Sequence, residues 1–256
     1  MMLFRVPCLW VFIILPLYLK TSDCTEIIGG KAVKPHSLPY MALLTGRINE
    51  THGKSCGGIL INQKWVLTAA HCRPIDKVYL GVHSRMDRGN GVGVEKNIPH
   101  PKYQNVRNGN DIMLVLLKNS VKETNNVHIK PLPKPVRNIK ANKKCFVAGW
   151  GRTKEGGVGS DVLLSVNVTV IDRKRCSDMY KGYYNITKRM LCAGFKNRDP
   201  PADSCQGDSG GPLVCGGELR GVVSFGKGCG REEFPGVYTF ISKYDEWIKE
   251  TIRTSE

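Results

Sequence analysis

Short apolar runs and period-two alternation, rather than helical spacing, organise most of the chain. Leu164, Val166, Val168 and Val170 alternate with Ser165, Asn167 and Thr169, which predicts a strand over 164–171 with one buried face. Further apolar, β-branched runs at 56–61, 65–70, 78–82, 112–117, 146–148, 212–215 and 222–225 are separated by Gly, Pro, Asn and Lys. Helical periodicity is confined to the end of the chain. There Ile241, Tyr244, Ile248 and Ile252 fall on one face, and Ser242 with Asp245 three residues on supplies a cap, so a helix is expected over about 242–253. A basic, proline-bearing stretch from Lys130 to Lys144 interrupts the strands and places a linker between two β-rich halves, about 27–135 and 136–240. The fold class expected is all-β with one C-terminal helix.

The first residues follow another pattern. Arg5 precedes the apolar run from Cys8 to Leu19, which Pro7 and Pro16 bracket and which is too short to span a bilayer as a helix. Residues 1–24 therefore read as a signal peptide on an exported chain, with no membrane anchor elsewhere. Export changes the meaning of the cysteines. Of ten in the chain, Cys8 and Cys24 leave with the leader; Cys56, Cys72, Cys145, Cys176, Cys192, Cys205, Cys215 and Cys229 remain. An even number in an oxidising compartment suggests four disulfides, but count alone leaves roughly 105 pairings open. Sequons at Asn49, Asn167 and Asn185 are candidate glycan sites in such a chain.

The chain carries a formal net charge of +16. Residues 1–26 do not account for it, because Arg5 and Lys20 are balanced there by Asp23 and Glu26, so the chain from Ile27 onward keeps the +16. Residues 129–144 hold Lys130, Lys134, Arg137, Lys140, Lys143 and Lys144 with no acidic residue. Such an excess attracts polyanions, sulfated proteoglycan above all, through salt-sensitive electrostatics; a merely soluble basic surface is the alternative. A nucleic-acid-binding module has the charge but no binding motif.

The strongest chemical signal is Asp203-Ser-Cys-Gln-Gly-Asp-Ser-Gly-Gly-Pro212, where glycines let the backbone turn sharply around Ser209. As a bare G-x-S-x-G match it also suits an α/β-hydrolase elbow or an ordinary glycine-rich turn. Chain order separates the first two, since an α/β-hydrolase needs its histidine after the serine and all 6 histidines, His36, His52, His71, His83, His100 and His128, precede it. His71 follows Trp65-Val-Leu-Thr-Ala-Ala70, where small residues leave space around an imidazole, and adjoins Cys72, which a disulfide would pin. A serine hydroxyl is a weak nucleophile unless an imidazole takes its proton, and that imidazole needs a carboxylate to fix its tautomer. Asp111, opening the apolar run 112–117, is the best candidate, because a charge there needs a partner. Taken singly, His71 could be structural and Asp111 a strand-end cap.

Together, Ile27-Ile-Gly-Gly30, Thr68-Ala-Ala-His-Cys72, Asn110-Asp-Ile-Met-Leu114 and Gly207-Asp-Ser-Gly-Gly-Pro212 resemble the chymotrypsin family of serine proteases in residues and in order. The resemblance implies two packed six-stranded β-barrels with a C-terminal α-helix. It implies Ser209 as nucleophile, His71 as general base and acid, and Asp111 as orienting carboxylate. Backbone N–H groups of Gly207 and Ser209 would form the oxyanion hole. Asp203 would lie at the floor of the specificity pocket, with Gly226 and Gly236 on its walls, giving cleavage of protein substrates after Arg or Lys. Cleavage before Ile27 would free an α-ammonium to pair with Asp208, so that the uncut form is inactive. The implied bridges are Cys56–Cys72, Cys145–Cys215, Cys176–Cys192 and Cys205–Cys229.

Within that family the chain looks most like the granzyme A and granzyme K branch. If the leader ends at Cys24, only Thr25-Glu26 precedes Ile27, an activation dipeptide like those a dipeptidyl peptidase removes from granule proteases. Pro35-His-Ser-Leu-Pro-Tyr40 and Asn167-Val-Thr-Val-Ile-Asp-Arg-Lys174 carry the same likeness. The expectation is a secreted or granule-stored endopeptidase spanning 27–256, held in check by protein inhibitors of serine proteases. No cysteine lies between Cys72 and Cys145, where the dimeric granzyme A has one, so a monomer is expected. Phe225 stands where digestive members usually carry Trp. Neither a calcium loop between Gly81 and His100 nor zinc-like histidine spacing is present, so no metal or cofactor is expected. The rival function is a catalytically silent cationic binding protein on the same fold.

Overall fold

The computed structural model describes residues 29–49, 53–195 and 203–255. The signal peptide, the activation dipeptide and Ile27 lie outside them. Strands β2 (Met41–Arg47), β3 (Gly53–Asn62), β4 (Trp65–Thr68), β5 (Lys77–Leu80), β6 (Val92–Pro99) and β7 (Met113–Leu117) close into one barrel in the order β2-β3-β4-β7-β6-β5, all antiparallel. Strands β8 (Lys144–Gly149), β9 (Leu164–Ile171), β10 (Met190–Gly194), β11 (Pro212–Cys215), β12 (Glu218–Phe225) and β13 (Gly236–Phe240) form the second, which the β8–β9 pairing closes. The short β1 (Lys31–Ala32) adds to β9, so the start of the described chain is tied to the second barrel and not to the first.

Closure leaves no unpaired edge within each ring, and alternation fixes which side chains fill it. On β9, Leu164, Val166, Val168 and Val170 are buried while Asn167 faces solvent, as the period of two requires. Each contributes about 1.5–3 kcal/mol of burial relative to exposure. Register follows from the same demand: Val166 opposite Val147 keeps both in the core, and a slip of one residue would turn the polar set inward.

The C-terminal helix begins later than its sequence pattern suggests. Residues Ile241–Lys243 form a 3₁₀ turn and the helix α2 runs Asp245–Ser255, so Ser242 is no cap and its hydroxyl is buried without a partner. Asp245 and Glu246 instead place negative charge in the first turn, and Lys249 Nζ donates to Asp245 Oδ2 at 2.8 Å. Ile241, Tyr244 and Ile248 pack with the first barrel's core although they follow the last strand of the second, so the chain end clasps the two together. A second helix, α1 (Arg173–Met179), is absent from the sequence expectation; Asp172 caps it by accepting from the Lys174 and Arg175 amides.

Four disulfides are formed: Cys56–Cys72, Cys145–Cys215, Cys176–Cys192 and Cys205–Cys229. The first ties β3 to a 3₁₀ turn, Ala70–Cys72, that carries His71 just beyond the end of β4. No described helix is long and apolar enough to cross a membrane.

Candidate active site

The site is assembled where the two barrels meet. Asp111 precedes β7 and is buried to 1% exposure, yet its carboxylate is fully engaged. Oδ1 accepts from the His71 amide at 2.9 Å, while Oδ2 lies 2.7 Å from His71 Nδ1 and accepts from Ser224 Oγ at 2.6 Å. An ionised carboxylate can only accept, so these contacts place the imidazole proton on Nδ1 and leave a lone pair on Nε2. Such a buried charge tolerates no missing partner, and β12 supplies the Ser224 hydroxyl across 113 residues of sequence. Thr239 Oγ1 donates to the Asp111 carbonyl at 2.7 Å and Tyr244 OH to Asn110 Oδ1 at 3.3 Å, fixing the backbone on the other side.

The segment 207–211 is held against the first barrel. The Gly57 amide donates to Ser209 O at 2.8 Å, and Cys72 Sγ, next in sequence to His71, lies 3.7 Å from the same oxygen. Gly210 has φ +79°, and a Cβ there would come within 2.1 Å of Thr68 Oγ1 and 2.5 Å of Gly57 O. The turn that presents Ser209 therefore admits no side chain at the next position. Gly207, with φ +103°, is equally left-handed.

Asp208, beside the serine, points into the protein and is completely buried, with Oδ1 accepting from Gly151 N at 2.8 Å and Oδ2 from Cys205 N at 2.9 Å. Burial pushes its pKa up to about 6, against the pull of those two amides. Gly149 and Gly151 make room for it: a Cβ at either would fall within 2.2 or 2.4 Å of the carboxylate.

Next to Ser209 opens a cavity of about 210 Å³, bounded by Ser204, Ser224, Phe225, Gly226 and Gly236. Behind Ser204 and Gly236 lies Asp203, exposed to only 3%; Oδ1 accepts from Ser204 N at 2.8 Å and Oδ2 from Gly230 N at 3.0 Å. Desolvation pushes the Asp203 pKa up to about 7, with the two amides opposing it and Asp208 adding to it. A Cβ on Gly236 would sit 3.1 Å from Asp203 Oδ1 and 2.9 Å from Tyr238 Oη, closing the approach to the acid. The Cys205–Cys229 disulfide joins two residues of the cavity wall.

The structure thus brings His71, Asp111 and the Ser209 backbone to one place, with Asp203, Gly226 and Gly236 at one cavity and Asp208 under the serine loop. It adds Ser224, Thr239, Gly149 and Gly151, which carry no motif; only a partner for a buried carboxylate would have called for them. Cys56, His71 and Cys72 place potential ligand atoms close together, but both sulfurs are spent in the disulfide. Asn49, Asn167 and Asn185 are all exposed.

The family model for trypsin matches residues 27–248. The chain belongs to the trypsin family. As a trypsin-like serine protease it is a serine endopeptidase, and its relatives agree. It is 41% identical to granzyme A of Bos taurus over 239 residues, covering 90% of this chain and 89% of the relative. It is 39% identical to trypsin II-P29 of Gallus gallus over 236 residues, covering 90% and 91%. Among solved structures, neuropsin, a serine protease expressed in the limbic system of mouse brain, superposes with a TM-score of 0.78 at 39% identity, covering 88% of this chain and 100% of that one.

Proposed function

We propose that this trypsin-family endopeptidase cleaves after Arg or Lys, using Ser209, His71 and Asp111, and gains activity when the chain is cut before Ile27. The observation that carries the specificity is a buried carboxylate, Asp203, behind a cavity that opens beside Ser209 and whose walls at Gly226 and Gly236 lack side chains. A long cationic side chain would fill the cavity and supply the charge partner that burial demands.

In this reading Ser209 Oγ attacks the scissile carbonyl as its proton passes to His71 Nε2, the atom left free by the Nδ1 contact with Asp111. The imidazolium is stabilised by Asp111 and then protonates the leaving amine. Water repeats the cycle on the acyl-enzyme. The N–H groups of Gly207 and Ser209 receive the oxyanion, each donor contributing about 3–4 kcal/mol at the transition state. For activation, the support is Asp208, buried and raised in pKa with only amide donors among the described residues. An α-ammonium from Ile27 would neutralise it and order the loop that carries Gly207 and Ser209.

The granzyme branch is supported by the likeness to granzyme A, the two-residue activation segment Thr25-Glu26 and the charge of +16. On that reading the protein is secreted or stored in granules as a monomer and matured by a dipeptidyl peptidase. It is carried on sulfated proteoglycan, glycosylated at Asn49, Asn167 and Asn185, and inhibited by serine protease inhibitors. A positional-scanning peptide library tests the specificity: Arg and Lys should dominate the residue before the scissile bond, and preference for Phe or Leu there would overturn it.

A further inference from the structure

The loop between α1 and β10 carries a sequon whose neighbours set it apart from the other two. Tyr183-Tyr-Asn-Ile-Thr187 places an aromatic ring two residues before Asn185, whereas Arg47 and Ser165 hold that position before Asn49 and Asn167. The chain turns tightly as it leaves α1, because the Tyr183 and Tyr184 amides both donate to the Tyr180 carbonyl, at 2.9 and 3.0 Å. The turn borders an open hollow of about 400 Å³ with Ser177, Lys181, Tyr183, Tyr184 and Asn185 on its wall. Asn185 itself is exposed there.

Tyr183 is exposed by 55%, yet its ring is held in place. Lys227 Nζ lies 3.1 Å from the ring centroid, and the Phe234 ring meets it edge-on at 5.6 Å. What remains open to solvent is a fixed aromatic plate. A pyranose ring, which presents a row of C–H groups on one face and hydroxyls at its edge, covers such a plate while its hydroxyls stay in water. A free sugar or a second protein would lose translational freedom in reaching the hollow, whereas a sugar attached to Asn185 is already tethered to its wall. The same loop forms the rim of the substrate cleft. Tyr184 packs on Phe225 with ring centroids 4.7 Å apart, Phe225 and Gly226 bound the cavity beside Ser209, and Lys227 is the next residue in the chain. The two tyrosines therefore grip both ends of 225–227, and whatever steadies Tyr183 steadies that rim.

We infer that the first N-acetylglucosamine of a glycan on Asn185 seats in this hollow against the Tyr183 ring and braces the rim of the substrate cleft. The inference rests on the reading of Asn185 as a glycan site, and its test separates the two. Activated protein made with high-mannose glycans would be trimmed with endoglycosidase H, which leaves one N-acetylglucosamine on each occupied asparagine. It would be compared with Asn185→Gln treated in the same way, and the pair would be repeated in Tyr183→Phe and Tyr183→Ser backgrounds. Glycopeptide mass spectrometry reads occupancy, thermal melting reads the seat, and kinetics on a single-residue Arg amide and on a tetrapeptide ending in Arg amide read the rim. The single sugar should raise the melting temperature by about 2–4 °C with Tyr or Phe at 183 and leave it unchanged with Ser. Asn185→Gln should raise KM for the tetrapeptide about threefold, with its kcat and the hydrolysis of the single-residue amide unaltered. An equal melting gain in the Tyr183→Ser background, or a tetrapeptide KM that Asn185→Gln does not move, overturns the inference and leaves Asn185 standing as a glycan site. An Asn185 found unoccupied in the secreted protein removes both.

Discussion

Replacing Asp203 with Asn isolates the charge at the base of the cavity. The side chain keeps its size and one acceptor oxygen for the Ser204 and Gly230 amides, which lie 2.8 and 3.0 Å from the carboxylate. What it loses is the ion pair with a bound guanidinium or ammonium. At a separation of about 4 Å and an effective dielectric of about 20, that attraction is about 4 kcal/mol, or about a thousandfold in kcat/KM. Stability moves the other way. The Asp203 pKa is raised in the folded state to about 7 from 3.8, so the fold binds the proton more tightly than the unfolded chain. That penalty is absent below pH 4, grows as pH rises and is complete above about 7, where removing the charge relieves about 4 kcal/mol. The amide NH₂ offsets part of this by facing a donor, at about 1–3 kcal/mol. Activated Asp203→Asn should therefore stay folded at pH 8, lose about three orders of magnitude on Arg and Lys tripeptide amides and change little on Phe or Leu amides. Arg hydrolysis within tenfold of wild type would refute the assignment.

Three other perturbations follow from the same geometry. Gly236→Ala places a methyl 3.1 Å from Asp203 Oδ1 and should raise KM for Arg substrates more than for Lys, which reaches with a slimmer head group; steady-state kinetics on matched amides would expose an equal effect on both. Asp111→Asn loses the acceptor that holds the Nδ1–H tautomer and should lower kcat about 10⁴-fold with KM little changed, a parallel rise in KM counting against a positioning role. Asp208→Asn removes a buried acid whose folded pKa is raised, so the precursor should lose less stability than wild type between pH 4 and 7 by thermal melting, whereas after cleavage before Ile27 the variant should stay inactive; a fully active cleaved variant would contradict the activation scheme.

The strands that sequence made visible are those whose side chains alternate or branch at Cβ. β9 is legible to the residue because one face packs into the core and the other meets water. β6 is not, since its run VGVEKNIP is partly exposed along its whole length and carries no clean period. β10 and β13 are short and buried throughout, MLCAG and GVYTF, and such runs have no polar face to mark them as strands. α1 was hidden by its composition: RKRCSDM buries only Cys176 and owes its start to the Asp172 cap. At the site, the histidine, aspartate and serine stand in short motifs that resist alternative readings when taken together. Ser224, Thr239 and the glycines around Asp208 are dictated by contacts more than 50 residues away in sequence, where local pattern is silent.

A serine-directed fluorophosphonate puts the account at greatest risk in one measurement. Reacted with protein cleaved before Ile27 and mapped by peptide mass spectrometry, it should modify Ser209 alone, and the His71→Ala variant should take up no label in the same time. Modification at another serine, or an unlabelled but correctly cleaved and folded protein, would contradict the assignment of nucleophile and base.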